Sequence, residues 1–217
     1  YNAKLYRNFT KNLLWHIESM QKYDGELSFI SGNHDSFRIA DFLNDEELRL
    51  AYLFIYTMPG VPYLFAGDEL GQKTNCNLTS KEGGYQRTGT RIPMVFDNTE
   101  NRGFSKCKDV SKLYLPIDNE TVSAMEQLED KNSLLNFIKE LIKIRKSEDD
   151  LRSKDFKLLD KPLAYSRGKI KVFINLKDED QKFEVESGEI LLSVGKVEFS
   201  AGKLVLKKHQ AVIFKED

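Results

Sequence analysis

The sequence predicts an α/β region followed by an all-β region, on three observations. A short apolar run that ends in a polar loop occurs twice, at 27–30 and 62–66, with an amphipathic stretch between the two. Strand, loop, helix, strand, loop is a βαβ unit, and its two polar loops fall on one edge of a parallel sheet. Apolar residues recur at helical spacing before and after this unit, at 3–23 and 134–146. Beyond Asp150 the texture changes to short β-prone runs separated by turns, the mark of an antiparallel sandwich or small barrel. The expected domains are therefore 1–150 and 151–217.

In chain order, Leu5, Phe9, Leu13, Ile17 and Met20 make the stripe of the first helix, which Asp24-Gly25 stops. His16 lies in this helix, where a lone histidine is ordinarily a surface or packing residue. The first strand, Leu27 to Ile30, feeds Ser31-Gly32 and then Asn33, His34 and Asp35 in a row. Asn44 is an N-cap candidate with acidic residues following it, which suits the helix dipole. Leu48, Ala51, Tyr52 and Ile55 form that helix's stripe, and Met58-Pro59-Gly60 ends it. Pro62 to Ala66 is the second strand and Gly67-Asp68-Glu69 its loop. From Gln72 to about Val122 turn formers dominate, among them Gly83-Gly84, Gly89 and Pro93, and a loop of that length in a compact domain is usually functional. A helix follows Asn132-Ser133, with Leu134, Leu135, Ile138, Leu141 and Ile142 on one face. The β-prone runs are 156–159, 163–166, 171–176, 183–185, 190–192, 203–206 and 211–214, and His209 between the last two reads as structural.

The 217 residues are 40% hydrophobic, enough for an ordinary core. With 33 basic and 34 acidic residues interspersed, a formal net charge of -1 gives no reason to expect nucleic acid or an anionic membrane as partner. No apolar run is long enough to span a bilayer, and the Tyr-Asn-Ala-Lys start lacks the order of a signal peptide. Because it does not begin with Met, the chain reads as a trimmed or internal fragment. Cys76 and Cys107 lack metal-ligand spacing and are expected as free thiols, which favours a reducing, cytoplasmic setting.

An Asn-His-Asp triple at a strand end permits several chemistries. A metal site would want further ligands, and a nucleophilic triad would want an activated Ser or Cys, which Ser31 and Ser36 are not. Recognition of a polyhydroxylated ligand remains, since amide, imidazole and carboxylate each bond adjacent hydroxyls. Against it stands the reading in which Asn33 and Asp35 merely cap the loop. Arg87 and Arg91, taken alone, are solvated loop charges.

Several segments in order carry more: FISGNHD at 29–35, PGVPYLFAGDELG at 59–71, RTGTRIPM at 87–94, GFS at 103–105, LYLPID at 113–118 and DKNSLLNFIKELIKIRKS at 130–147. Together they resemble the carboxyl-terminal half of the α-amylase superfamily, glycoside hydrolase family 13. The resemblance implies a partial (β/α)8 TIM barrel, of which the last two βα units are present, followed by an antiparallel β-sandwich domain. It implies a retaining glycosidase acting on α-glucosidic bonds of α-glucans or oligosaccharides, needing no cofactor, with calcium left open for a longer parent. By similarity, Asp35 is the transition-state-stabilising carboxylate and His34, with Asn33, binds sugar hydroxyls. Arg38 lines the leaving-group side. Arg91 and Arg87 lie near the non-reducing sugar, as in oligo-1,6-glucosidase and trehalose synthase-like members. Val95 and Phe96 depart from the Gln and Trp of those members. Asp68 and Glu69 shape the final barrel loop.

Retaining hydrolysis needs two carboxyl groups about 5 Å apart, one the nucleophile and one the acid and base. In that family they come from strands preceding this stretch, so the chain is expected to be inactive alone. Two strands from an eight-stranded ring also leave edges uncovered, so self-association is expected. A non-catalytic carbohydrate-binding or scaffold protein of the same fold is the alternative.

Overall fold

The computed structural model describes residues 3–81, 87–159 and 163–217, with side chains from residue 7 onward. The expected turn at Gly83-Gly84 and the Leu5 side chain lie outside the described residues. By packing, the chain divides into two compact units: 1–29, 50–62 and 141–217 form one, and 30–49 with 63–140 form the other. This differs from a division at 150/151, because helical segments from early in the sequence pack with the β-rich carboxyl-terminal region.

In the first unit, helix α1 (Ala3–Lys22) buries Leu13, Ile17 and Met20, the three-and-four spacing that the sequence showed. It ends because Asp24 takes a left-handed φ of 51°, which lets the Gly25 amide donate back to the Met20 carbonyl at 3.0 Å. The left-handed residue is thus Asp24 rather than the glycine after it. His16 is exposed and meets Trp15 edge to face, which agrees with a surface role.

Strand β1 (Ser28–Ile30), helix α2 (Asp45–Thr57) and strand β2 (Val61–Tyr63) follow. Asn44 caps α2 reciprocally: its Oδ1 accepts from the Glu47 amide, and Glu47 Oε2 accepts from the Asn44 amide, each at 3.0 Å. The two strands pair with each other. Val61 N donates to Leu27 O and Ser31 N to Tyr63 O, so the bonds advance along both strands together and the pair is parallel. One expectation needs correction here. The second strand stops at Tyr63 instead of Ala66, because the chain turns after Phe65, whose carbonyl accepts from Asp68 N. Ile30 and Tyr63 are exposed in this two-stranded sheet.

The segment 72–122 is irregular, with 3-10 turns at Thr88–Arg91, Glu100–Gly103 and Val110–Lys112. It leads to a short helix that the sequence pattern did not reveal, α3 (Ala124–Glu129), capped by Ser123 and Glu126. Helix α4 (Leu134–Ser147) buries Leu134, Phe137, Ile138, Leu141 and Ile144, and one turn, α5 (Asp149–Arg152), follows.

The remaining strands are β3 (Lys157–Leu158), β4 (Leu163–Arg167), β5 (Ile170–Ile174), β6 (Gln181–Glu184), β7 (Gly188–Val194), β8 (Glu198–Ser200), β9 (Lys203–Leu206) and β10 (Ala211–Glu216). They form two antiparallel sheets, ordered β3-β4-β5-β10-β7 and β6-β9-β8. Alternate residues of each sheet, Ala164, Phe173, Val212 and Phe214 from one and Leu204 and Leu206 from the other, share one apolar core. The Phe173 and Phe183 rings meet across it at 4.7 Å. Strand β8 has no signature in the sequence because all three of its residues are exposed and carry no alternating pattern.

Two arginines complete this unit. Arg145 donates to the carbonyls of Tyr56, Met58 and Gly60, at the end of α2. Arg167 is fully buried and donates to the carbonyls of Thr57, Asp150, Leu151, Ser153 and Asp155. Burial, and the nearby Arg145 charge, pull its pKa down to about 10. Beside it, burial pushes the Tyr165 phenol up despite its 2.6 Å bond with the Thr57 hydroxyl. Replacing Arg167 by Met would strand five carbonyls in an apolar setting. The expected cost is about 3–5 kcal/mol, read as a lowered urea midpoint with an unchanged slope. A midpoint that does not move would refute this account of Arg167.

Candidate sugar-binding loop cluster

The sequence concentrates chemistry-bearing residues just after β1 and β2, and in the second unit three segments converge there. After β1, Ser31 accepts from Phe65 N at 3.0 Å and donates to Asp68 Oδ2 at 2.7 Å, so its hydroxyl ties the two strand-end loops together. Asn33 Oδ1 accepts from Asp35 N at 2.8 Å, closing an Asx turn that lifts His34 and Asp35 outward.

Asp35 is half-exposed, at 49%, and its Oδ1 accepts from Arg87 Nη1 at 2.8 Å and Arg91 Nη2 at 3.0 Å. His34 Nε2 lies 3.5 Å from the other carboxylate oxygen, and Arg91 Nε donates to the His34 carbonyl at 3.1 Å. Partial desolvation pushes the Asp35 carboxyl up. The hydrogen bond from Arg91, the charge of Arg87 and the proximity of His34 outweigh that and hold it below the usual carboxylate range. Asn33, His34, Asp35, Arg87 and Arg91 are thus brought together, as one open rim.

Arg38 is not on that rim. Its side chain is 2% exposed, with Nη1 donating to Asp68 Oδ1 at 2.7 Å and to Ala66 O at 3.0 Å, and Nη2 donating to Thr90 O at 3.0 Å. The guanidinium also lies over the Phe65 ring at 4.7 Å, a cation–π contact. The expected leaving-group contact is corrected accordingly: a motif fixes which residue follows the aspartate, and the local turn decides where its side chain goes. Gly67, at φ 94°, makes the arrangement possible, because a Cβ there would run into Gln72 Oε1 and the Arg38 guanidinium.

Asp68 is fully buried, and burial pushes its carboxyl up against the opposing pull of the Ser31 bond and the Arg38 charge. Burial likewise raises Glu69, whose carboxylate accepts from Gly67 N at 2.8 Å. Both acids hold the loop in shape. The partners that make this frame, Ser31, Thr74 and Thr90, were missed by sequence reasoning. Their hydroxyls and carbonyls act across 34 to 54 residues of chain, where no local pattern reports them.

Among the described residues no cluster of three His, Cys, Asp or Glu side chains could hold a metal, and no helix is long and apolar enough to cross a membrane. Cys76 and Cys107 are free thiols. A cavity of about 700 Å³ lies between residues 70–77 and 117–122, and none of the rim residues lines it.

Residues 2–154 match the family model described as Alpha amylase, catalytic domain. The chain is 29% identical to a glucan 1,6-alpha-glucosidase of Streptococcus pneumoniae, over 95% of this chain and 44% of that protein. It is 26% identical to an oligo-1,6-glucosidase of Parageobacillus thermoglucosidasius, over 68% of this chain and 34% of that one. Among solved structures, Eubacterium rectale Amy13B superposes with a TM-score of 0.76 at 18% identity, covering 98% of this chain and 43% of its own. A trehalose-6-phosphate hydrolase of Bacillus licheniformis gives 0.72 at 21%, covering 90% and 44%. These likenesses support a partial TIM-barrel-type fold, and the chain spans less than half the length of the relatives it matches. With 153 of its 217 residues matched by the family model, this chain belongs to the alpha-amylase family.

Proposed function

We propose that the chain is the carboxyl-terminal portion of a retaining glycosidase acting on α-glucosidic bonds of α-glucans or oligosaccharides, with Asp35 as its transition-state-stabilising carboxylate. The observation that carries this reading is the Asp35 carboxylate itself, accessible yet fixed by Arg87 and Arg91 on the loop after β1. The activities named for the relatives, on glucan and oligosaccharide 1,6-linkages, support the substrate class.

An ionised carboxylate beside a pyranose ring accepts hydroxyl protons and faces the positive charge that grows as the ring flattens. Its contacts strengthen toward the transition state, which is how binding becomes catalysis. His34 and Asn33 complete the grip on hydroxyls, and Arg87 and Arg91 orient the carboxylate and reach toward the non-reducing sugar. Arg38 acts through Asp68 and Thr90, as a positioning residue.

No nucleophile or general acid is assigned to this chain, since Asp68 is buried against Arg38 and Ser31. The 217-residue chain is expected to bind maltose, with NMR shifts at His34 and Asp35, and to leave 4-nitrophenyl α-glucoside intact. No shift at either residue overturns the binding reading. Turnover that vanishes in Asp35→Asn overturns the assignment of inactivity.

The pH behaviour has a definite sign. A carboxyl held below its unfolded value, about 3.9, favours folding above that pH and loses the contribution as pH falls through the folded value. Carbon NMR of Asp35 should therefore show a titration below the ordinary range, moving up toward it in Arg87→Ala. An unmoved midpoint in that variant refutes the arginine clamp.

We propose further that the chain self-associates through the exposed edges of β1 and β2, where Ile30, Val61 and Tyr63 are solvent-facing. Light scattering should report a mass that rises with concentration. A dilution-independent monomer would dismiss this.

A further inference from the structure

Between the buried Arg38 frame and the open rim runs a second set of contacts, made by hydroxyls. Thr74 and Thr90 are both buried. Thr90 Oγ1 donates to Ser36 O at 3.0 Å, and Thr74 Oγ1 lies 3.5 Å from Thr90 Oγ1. Thr74 Oγ1 also accepts from Arg38 N at 3.0 Å. A threonine hydroxyl carries one proton, and that of Thr90 is committed to the Ser36 carbonyl. Thr74 is therefore the donor within the hydroxyl pair, and the bonds run one way, from the Arg38 amide to Thr74, to Thr90 and to Ser36. Hydroxyls polarised in series strengthen one another.

This relay starts and ends on the loop after β1 and passes through both segments that face it. Its last bond meets the turn that presents His34 and Asp35: Ser36 N closes that turn by donating to Asn33 O at 3.4 Å, and Ser36 O takes the Thr90 proton. Thr90 itself belongs to the 3-10 turn whose arginines hold Asp35, and its N donates to Arg87 O at 3.2 Å. The Thr90–Ser36 bond thus joins the two backbones one residue from Asp35 on one side and one residue from Arg91 on the other. Other contacts seat the same turn by its backbone. Arg38 Nη2 holds the Thr90 carbonyl, and Asn75 N donates to Gly89 O at 3.1 Å, where a Cβ on Gly89 would run into the Asn75 carbonyl. Any residue at position 90 would offer that carbonyl. The hydroxyl adds a bond that depends on the side chain and that ends beside Asp35.

We propose that Thr90, oriented by Thr74, is a positioning residue for Asp35: its hydroxyl sets where Arg87 and Arg91 meet the carboxylate. The inference rests on the reading of the rim as a sugar grip, and names what holds that grip in register. A guanidinium on a flexible stem that pairs with a half-exposed carboxylate gains little by itself, because ordering the side chains offsets the attraction. Two such groups converge on one oxygen when the backbones that carry them are already held at a set distance. Groups that orient a ligand work only when they are fixed closely in place, and supporting hydrogen bonds supply that.

The test is carbon NMR of the Asp35 carboxyl, together with a maltose titration, on the intact 217-residue chain and its variants. Thr90→Val keeps the branched shape and every backbone bond but has no hydroxyl. Its Asp35 midpoint should rise toward the ordinary carboxylate range, the direction that loss of Arg87 gives, and maltose should bind roughly fivefold more weakly. Thr90→Ser keeps the hydroxyl and loses the methyl, so its midpoint should stay at the parent's. Thr74→Val removes the middle link while Arg38 N stays bonded to Asp41 Oδ2, and should raise the midpoint by less. If the midpoint rises in Arg87→Ala but not in Thr90→Val, the arginine clamp stands and the positioning role is refuted. If Thr90→Ser moves it as Thr90→Val does, packing of the methyl is responsible and the role is again refuted. An unmoved midpoint in Thr74→Val overturns the relay. If Thr90→Val does not fold, Thr74→Val and Thr90→Ser decide by the same midpoints. A midpoint that rises in Thr90→Val while no form binds maltose upholds the positioning of Asp35 and sinks the sugar reading instead.

Discussion

The rim around Asp35 depends on one buried ion pair that never touches it. Arg38 and Asp68 meet at 2.7 Å with almost no exposure, 30 residues apart in sequence. Desolvating both charges costs several kcal/mol per ion, and their attraction only offsets that when the remaining hydrogen-bond capacity is satisfied. The raised pKa of Asp68 shows burial winning over the charge beside it, so the pair's value lies less in net stability than in geometry. Two further carbonyls fix that geometry. The guanidinium holds Ala66 O from the loop after β2 and Thr90 O from the 3-10 turn, and Asp68 in turn holds Ser31 from the loop after β1. Thr90 stands between Arg87 and Arg91. A single planar cation therefore gathers the three segments that supply Asp35 and its two partners, which lysine, as a point charge, would not do.

The electrostatics of Asp35 follow from that placement. Two guanidinium groups converge on one carboxylate oxygen, and the His34 imidazole lies 3.5 Å from the other. Both arginines favour the charged form of Asp35. Asp68 and Glu69 show the opposite case: the same side-chain chemistry a short distance along the chain is pushed toward neutrality by burial, and shapes the loop instead.

What could be read from the sequence was local, and what could not was mostly long-range. Asn44 with Glu47 and the Met58-Pro59-Gly60 stop depend on neighbours within a turn and stand in the structure; of the two stripes, Leu13, Ile17 and Met20 of α1 and Leu134, Ile138 and Leu141 of α4 are buried, whereas Phe9 is exposed and Leu135 and Ile142 are half-buried. The cap of α3 was equally local, Ser123 to Glu126, but a six-residue helix offers too few apolar repeats to stand out. Asn33, His34 and Asp35 were legible because three polar side chains at a strand end are conspicuous, and Arg87 and Arg91 only through a resemblance. The burial of Arg38 had no local signal. Its partners lie 28, 30 and 52 residues away, and an arginine beside an aspartate reads as an exposed charge until Asp68 and Thr90 are known to approach it.

In the first unit two arginines anchor mainly backbone carbonyls. A helix leaves its last carbonyls without intrahelical partners, and α2 ends at a Pro-Gly pair that supplies no capping turn of its own. Arg145 and Arg167 divide these carbonyls between them, the first taking those of Tyr56, Met58 and Gly60 and the second that of Thr57 together with four from 150–155. Five N–H groups in one plane can serve carbonyls from several directions, whereas an ammonium would serve three at most. Burial and the Arg145 charge lower the Arg167 pKa to about 10 against the opposing pull of Tyr165, Asp155 and Asp150, and at that value the side chain remains charged near neutrality. Around Arg38 the addition of Asp68 converts the same anchoring into a fixed relation between the loops that carry Asp35, Arg87 and Arg91.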